Sequence, residues 1–431
     1  DGRKFKRTPI WWREELSKAE HDGGHVVLTI DSVIQRFAQS HLSAAVEAFE
    51  AESGVALVLA PRTGSVLAIA QYPTFDPNRY QDAPAARRRN RAICDVTEPG
   101  STFKPYVACA ALLAGVVDPD EKIFCHNGQH YFGRRLMHDT HPNGMLDFEG
   151  ILTHSSNIGM GILGERMGNE VIHKMVRAFG FGGRLGVKFP GEAPGVVRPI
   201  EQWTRYSTTS VPIGQEIAVT PLQLISAFCA IVNGGNLMRP RLVQALLDAK
   251  GTVVVSFDQP EVIRRVLPRD LANYMATEVL VGVVKNGGAR WSAPAGWQMA
   301  GKTGTAQIPF KDRAGYEPGA YTGSFMGAAP AHDPRCAVLV MIHRPNPVIG
   351  YYGSKVAAPA AGKIMADTLA YLQVPPTHGP GRLAAVRVRP KSPLPYGRGS
   401  EKTGSASVLG RTLSGYLRDM GERAIRIGDQ G

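Results

Sequence analysis

Ser101 stands three residues before Lys104, behind the tripeptide Glu98-Pro99-Gly100. On a helix that spacing puts both side chains on one face, one turn apart. A lysine amine placed there can take the proton that a serine must lose before it attacks a carbonyl. S-x-x-K arises by chance in most chains of this length, so its meaning depends on the rest of a serine acyl-transfer site. Such a site needs a proton relay to the leaving amine and donors aimed at the oxyanion.

Ser155-Ser156-Asn157 can supply the relay. In a tight turn between helices, Ser155 can pass a proton and Asn157 can hold a substrate amide. Taken alone, S-x-N reads as an ST-turn or a helix cap. Lys302-Thr303-Gly304-Thr305 can supply the third part, on a strand. Side chains alternate there, so Lys302 and Thr303 point opposite ways, and Gly304 lets a substrate backbone approach closely. The Thr305 and Ser101 N–H groups can then form an oxyanion hole. Burial and the Lys302 charge are expected to hold Lys104 partly neutral. K-T-G alone would be an ordinary strand ending in a glycine turn. The order S-x-x-K, S-x-N, K-T-G changes that, because it resembles the known signature S-x-x-K, S-D-N, K-T-G of penicillin-binding proteins and class A β-lactamases.

These residues need elements to position them. Glu98-Pro99-Gly100 fits a turn feeding a helix, which sets Ser101 near a helix N-terminus where partial positive charge favours an alkoxide-like oxygen. Further upstream, His25 to Ile30 reads as a strand, and Asp31 as the N-cap of a helix with Val33, Ile34, Phe37, Leu42, Val46 and Phe49 on its apolar face. Val55 to Ala60 and Val66 to Ala70 read as a hairpin. The middle is mostly helical. One helix starts at Thr220-Pro221 and ends at Asn233-Gly234-Gly235, and another runs from Pro268 to Val284. Strands return at Trp297 to Thr305, Gly323 to Ala329 and Cys336 to His343, before a last helix from Ser354 to Leu372. Strands at both ends with helices between predict an α+β fold, its antiparallel sheet built from both domain termini with a helical region inserted.

Composition bounds the function. At 43% hydrophobic and 20% charged residues the chain is globular. Its formal charge is +12, from 49 basic against 37 acidic residues. That fits a soluble basic surface, or attraction to an anionic polymer or membrane surface. No basic stripe interleaved with aromatics is present, so nucleic acid is not an expected partner. Five scattered cysteines without C-x-x-C spacing exclude a disulfide framework or zinc site as the organising principle and leave the compartment open. Cys109 and Cys229 fall in apolar helical runs and read as core. The histidines show no H-E-x-x-H spacing, and neither a metal nor an organic cofactor is implied. His138, Asp139 and His141 form a polar cluster that reads as capping or loop ordering. No run of 18 apolar residues exists.

The similarity extends beyond the three motifs. Val27-Leu-Thr-Ile-Asp-Ser-Val-Ile-Gln35, Pro61-Arg-Thr-Gly64 and Tyr72-Pro-Thr-Phe-Asp-Pro-Asn78 resemble the opening of a penicillin-binding transpeptidase domain. Thr153-His-Ser-Ser-Asn-Ile-Gly159, Phe179-Gly-Phe-Gly182, Val219-Thr-Pro-Leu-Gln223, Gly301-Lys-Thr-Gly-Thr-Ala-Gln307, Ser324-Phe-Met-Gly-Ala-Ala-Pro330 and Val356-Ala-Ala-Pro359 continue it. The chain is identified as similar to class B penicillin-binding proteins, of the division- and sporulation-specific kind. That resemblance implies the fold shared with serine β-lactamases. It also implies D,D-transpeptidation, in which Ser101 attacks a D-Ala-D-Ala stem peptide, D-Ala leaves, and the acyl group passes to an amine on a neighbouring stem. β-Lactams would acylate Ser101 and stall.

The same resemblance divides the chain. Residues 1–20 are expected to end an upstream pedestal, 21–375 to form the transpeptidase domain, 376–405 a Pro/Gly/Ser-rich linker, and 406–431 part of a PASTA-like module. It implies a location on the outer face of the bacterial cell membrane, held by an N-terminal helix absent from this chain. It also implies divisome or wall-synthesis membrane proteins as partners, a glycan polymerase among them. Two departures stand out. Gly353-Ser354 replaces the frequent Gly-Gly, and Ser156 stands where the S-D-N β-lactamases carry Asp. Glu165, eight residues past Asn157 in an expected helix, reads as a surface residue, not a deacylating base. The 147-residue interval from Ser155 to Lys302 suits a transpeptidase better than a β-lactamase. A D,D-carboxypeptidase or β-lactamase-like hydrolase, and a penicillin-binding sensor or scaffold that acylates without turnover, are the alternatives.

Overall fold

A computed structural model describes residues 24–377 of the chain. The expectations for residues 1–20, for the PASTA-like segment and for all but the start of the linker lie outside it. In chain order, the elements that matter here are β1 (His25–Leu28), α1 (Ser32–Ala48), β2 (Ser53–Leu59) and β3 (Val66–Tyr72). Then come α2 (Lys104–Leu113), α3 (Phe148–Thr153), α4 (Asn157–Ala178) and α5 (Pro221–Val232). β4 (Val243–Leu247), β5 (Val253–Ser256), β6 (Ala300–Pro309), β7 (Tyr316–Ala329), β8 (Cys336–His343) and α6 (Ala358–Tyr371) follow.

One antiparallel sheet in the order β6-β7-β8-β2-β3 unites the two ends of the domain, as predicted. β2 is buried along its whole length because both faces of the sheet are covered. Alternation then sorts its residues. Val55, Leu57 and Leu59, with Leu339 and Met341 of β8, join a core with α2, α4 and α5. Ala56 and Val58, with Val338, Val340 and Ile342, join a second core with Ile34 and Leu42 of α1 and Ile364 and Leu369 of α6. The result is three layers: the terminal helices, the sheet and the inserted helical region.

Several sequence signals now have mechanical roles. The Asp31 carboxylate accepts from the N–H groups of Val33 and Ile34, capping α1. Gln35 donates to Ile69 O at 2.7 Å and accepts from Ile69 N at 2.8 Å, so one side chain pairs with the edge of β3 beside the Asp31 N–H, which donates to Leu67 O. Thr220 and Gln223 form a reciprocal capping box on α5, and the Gln223 amide also donates to Gly183 O and Pro194 O. α5 is buried on every side, as its largely apolar sequence demands, with Gln223 and Ser226 its only polar side chains. Cys109 and Cys229 are core residues.

Three differences from the predicted elements have physical reasons. The first strand ends at Leu28 and pairs with β4 in a separate small sheet, β1-β4-β5. Thr29 turns the chain away by donating to Val66 O and Arg241 O. The helix expected from Pro268 is two α-helical pieces, Arg269–Tyr274 and Leu280–Asn286, joined by the π-helical turn Met275–Val279. The middle region also holds short strands, among them the hairpin of Gln129–Phe132 and Arg135–His138. Those strands are too short and too exposed to leave an alternating apolar pattern. Among the described residues, no helix is long and apolar enough to cross a membrane.

The completeness of α5 burial generates a test. Ile225 is fully enclosed, and Ile225→Ala is expected to cost about 2–5 kcal/mol of unfolding free energy. A urea midpoint within error of wild type would contradict a packed helical core.

Candidate active site

Ser101 lies in a 3-10 turn, Gly100–Phe103, that runs directly into α2 at Lys104. The Lys104 N–H donates to Ser101 O, so the two residues stand one 3-10 turn apart on the same face. Gly100 has φ +55, and a Cβ there would come within 3.0 Å of Thr305 O and 3.1 Å of the Ala306 Cβ. Only glycine lets the nucleophile turn sit this close to β6. The turn is braced by Thr102, whose hydroxyl donates to Pro99 O at 2.7 Å, and by Gly100 N, which donates to Gly214 O at 3.2 Å.

The S-x-N segment is the turn between α3 and α4. Ser155 is left-handed, with φ +54, an uncommon conformation for serine and one found at functional sites. Both its carbonyl and its hydroxyl face Lys104 as a result. Ser156 caps α4 by accepting from Gly159 N at 2.9 Å. The Asp139 carboxylate accepts from Ser156 Oγ, Asn157 N, Ile158 N and Asn143 Nδ2, all within 3.0 Å. The polar cluster before the motif is therefore a cap, as its sequence suggested, and its acidic member holds the whole S-x-N turn. Asn157 is fixed at both ends, with Nδ2 donating to His138 O at 2.9 Å and Oδ1 accepting from Lys104 at 2.8 Å.

β6 is an edge strand, and its free side faces the nucleophile turn. Lys302 Nζ donates to Thr303 O at 3.1 Å, and Thr305 O lies against Gly100, so the carbonyls of Thr303 and Thr305 point away from β7. In a strand the N–H and C=O of one residue share a side. The Thr305 N–H therefore also opens toward Ser101, the arrangement an oxyanion hole needs. A Cβ at Gly304 would lie 2.7 Å from Thr102 Cγ2 and 3.0 Å from Thr102 N, so the glycine is required by the close approach of turn and strand.

Two buried amines meet at one hydroxyl. Lys104 Nζ contacts Ser155 O at 2.5 Å, Ser155 Oγ at 3.1 Å and Asn157 Oδ1 at 2.8 Å. Lys302 Nζ donates to the same Ser155 Oγ at 3.0 Å. Lys104 is wholly enclosed and Lys302 is 1% exposed. Burial, reinforced by the Lys302 charge, pushes Lys104 well below the ordinary lysine range, and Asp139 pulls it partly back. Burial pushes Lys302 down to about 7. Three acceptor contacts satisfy a charged ammonium completely. A lone pair can be offered to Ser101 only when Lys104 is neutral, and burial together with the Lys302 charge shifts the amine toward that form.

All eight predicted site residues converge: Ser101, Lys104, Ser155, Asn157, Lys302, Thr303, Gly304 and Thr305. Sequence reasoning missed Asp139 as the holder of the S-x-N turn. It also missed a shelf of stacked tyrosines, Tyr321 on Tyr351 at 4.1 Å and Tyr351 on Tyr352 at 4.4 Å between ring centroids. The shelf stands beside β6, where Gly353 N donates to Thr305 Oγ1 at 3.1 Å. The adjacent Tyr351-Tyr352 pair was the available signal. Gly353 has no room for a Cβ against Gly304 O and Ser324 O, whereas Ser354 meets no such constraint, so the Gly-Ser departure is accommodated. Glu165 is exposed on α4 and takes no part in the site.

Such a fold and site, a serine and two buried lysines at the junction of a sheet edge and a helical region, define the active-site-serine penicillin-binding class. Comparison with known proteins agrees, since the penicillin binding protein transpeptidase domain model matches residues 54–366. The chain is 35% identical over 373 residues, 86% of its length, to a probable peptidoglycan D,D-transpeptidase, PenA, of Neisseria gonorrhoeae. It is 33% identical over 358 residues to stage V sporulation protein D of Bacillus subtilis. It spans 61% and 55% of those two proteins. Among solved structures, penicillin-binding protein 3 from Mycobacterium tuberculosis complexed with ampicillin superposes with a TM-score of 0.77 at 33% identity, covering 84% of this chain and 81% of that one. The transpeptidase domain of Burkholderia pseudomallei penicillin-binding protein 3 gives 0.71 at 32%, covering 82% and 98%. The chain belongs to the penicillin-binding protein transpeptidase family, as a class B member.

The depressed lysines predict a pH signature. Lys104 acts as a base only when neutral, so acylation by a fluorescent penicillin should rise with pH, with its midpoint below the ordinary lysine value of 10.5. Lys302→Met removes the neighbouring cation that helps depress Lys104. Its residual acylation should be slower, with the rising limb moved to higher pH. A flat wild-type profile, or a limb that stays in place in the variant, would refute this coupling.

Proposed function

We propose that the chain is a serine D,D-transpeptidase acting on peptidoglycan stem peptides. The observation that carries this is the single hydroxyl of Ser155, shared by Lys104 and Lys302 beside the nucleophile turn. Neutral Lys104 takes the proton from Ser101 Oγ as that oxygen bonds to the carbonyl carbon of the penultimate D-Ala. The N–H groups of Ser101 and Thr305 hold the resulting oxyanion. As the intermediate collapses, the C–N bond breaks, and the proton passes through Ser155 to the nitrogen of the departing D-Ala. An amine of a second stem peptide then attacks the ester and gives up a proton along the same route. A peptide bond forms and Ser101 Oγ is restored. Thr303, Gly304 and Thr305 line the groove that holds the donor backbone.

A β-lactam presents its amide to the same oxygen, but its leaving nitrogen stays tethered, so the acyl-enzyme persists. The names of the relatives support a role in division or sporulation wall synthesis. That role implies work on the outer face of the membrane, beside other wall-synthesis membrane proteins, a glycan polymerase among them. The domain extends over 21–375, preceded by the end of a pedestal and followed by the linker and the PASTA-like segment.

One assay separates the readings. Ser101→Ala should take no fluorescent penicillin label, and Lys104→Ala should label slower by orders of magnitude. Wild type should hold its label for hours and, given a stem-peptide donor and a D-amino acid acceptor, should release D-Ala and form the exchanged peptide. Loss of label within seconds indicates a β-lactamase, hydrolysis without exchange a carboxypeptidase, and stable label without peptide turnover a sensor. Each outcome overturns the proposal.

A further inference from the structure

The reaction above leaves one half-buried carboxylate beside the nucleophile unused. Glu98 lies three residues before Ser101. Its Oε2 accepts from the Tyr316 hydroxyl at 2.9 Å, and its Oε1 accepts from Glu216 N at 3.0 Å. Tyr316 opens β7 and sits opposite Pro309 at the far end of β6. Glu216 follows Gly214, the residue that receives Gly100 N and leaves no room for a Cβ against the Gly100 backbone. One carboxylate therefore joins the three segments that surround Ser101: its own turn, the 214–216 loop and the β6–β7 hairpin.

The connections continue outward. The Glu216 carboxylate accepts from Ser207 Oγ at 2.8 Å and pairs with Arg198. Gln215 Oε1 accepts from Arg135 Nη2 at 3.0 Å. Arg135 belongs to the hairpin whose last residue, His138, offers the carbonyl that fixes Asn157. Glu98 is thus the point where the strand carrying the K-T-G motif and the hairpin steadying the S-x-N motif are both tied to the nucleophile turn. Burial raises the Glu98 carboxyl, while its two hydrogen bonds favour the charged form. Burial and the Glu98 charge raise the Tyr316 phenol, which keeps it a donor.

We infer that Glu98 is a positioning residue: its carboxylate sets the separation between the nucleophile turn and the free edge of β6, and so between the Ser101 and Thr305 N–H groups. It touches no reacting atom. Its effect falls on the transition state, where both N–H groups must reach one oxygen, and not on the initial binding of the acyl donor. The inference rests on the acyl-transfer reading. Labelling of wild type at Ser101 tests that reading by itself.

The test is stopped-flow acylation by a chromogenic penicillin, which separates the limiting acylation rate from the concentration giving half of it. Tyr316→Phe removes one hydroxyl without changing shape. It should lower the limiting rate about tenfold to a hundredfold, the scale of an ångström-level misplacement, with the half-saturating concentration within about twofold and the melting temperature unchanged. Glu98→Ala should lose at least as much. Glu98→Gln, whose amide can still accept from Glu216 N and donate to the tyrosine oxygen, should recover most of the rate. The double variant Glu98→Ala/Tyr316→Phe should be no slower than Glu98→Ala, because both remove the same tie. Affinity for a boronic acid, whose tetrahedral serine adduct needs both N–H groups, should fall by the same factor as the limiting rate. A wild-type limiting rate in Tyr316→Phe, multiplying losses in the double variant, or losses that follow a lowered melting temperature overturns the inference.

Discussion

Two lysine amines reach the same serine hydroxyl, inside protein and almost wholly out of water. Holding two full positive charges there would be severely unfavourable, since each has lost its hydration and each repels the other. The site shifts both amines toward the neutral form: burial depresses Lys104 and Lys302, and the Lys302 charge depresses Lys104 further. The same instability makes a lysine useful as a base near neutral pH. An exposed lysine would be nearly all ammonium there and could take no proton from Ser101.

Bringing the amines together requires three segments far apart in sequence, and each is held by a different device. The nucleophile turn uses a glycine where nothing larger fits. The S-x-N turn uses a left-handed serine, a local strain offset by the Asp139 carboxylate and its four donors. The K-T-G strand uses the sheet, whose register with β7 sets Lys302 opposite Met326 and Thr303 opposite Phe325. Hydrophobic burial stabilises the two cores but cannot by itself define sub-ångström distances between polar atoms. The directional bonds of Asp139 and Glu98 do that.

Much of this was legible in the sequence because each motif carries its own local physics. Asp31 and Thr220 announce helix starts, Gly304 announces a close approach, and three spaced motifs imply one site. That one antiparallel sheet draws on both ends of the domain followed from the strands there, whereas its strand order did not. Other features could not be read. The strained φ of Ser155 has no signature in Ser-Ser-Asn. The short hairpin before Asp139 has exposed side chains and no periodicity. Asp139 itself read only as a cap, because its carboxylate acts on a segment 18 residues away, and that separation reveals nothing without coordinates. The π-helical turn at Met275–Val279 is likewise invisible, since one added residue per turn barely disturbs an apolar pattern.

The arrangement also bears on why one site could serve two opposite proton movements. In the proposed reaction a proton first leaves Ser101 and reaches a departing amine, and later leaves an arriving amine and returns to Ser101. A relay suited to only one direction would leave the acyl-enzyme trapped. Ser155 Oγ lies at nearly equal distances from both lysines, 3.1 and 3.0 Å, so neither nitrogen owns it. Hydroxyls donate and accept with a rotation about one bond, so the one oxygen between the two amines can serve both directions. The free edge of β6 completes the case. It carries backbone groups that β7 does not pair, and in the proposed reaction an extended donor peptide can take them up as an added strand. In the proposed reaction, donor position is then set by the sheet.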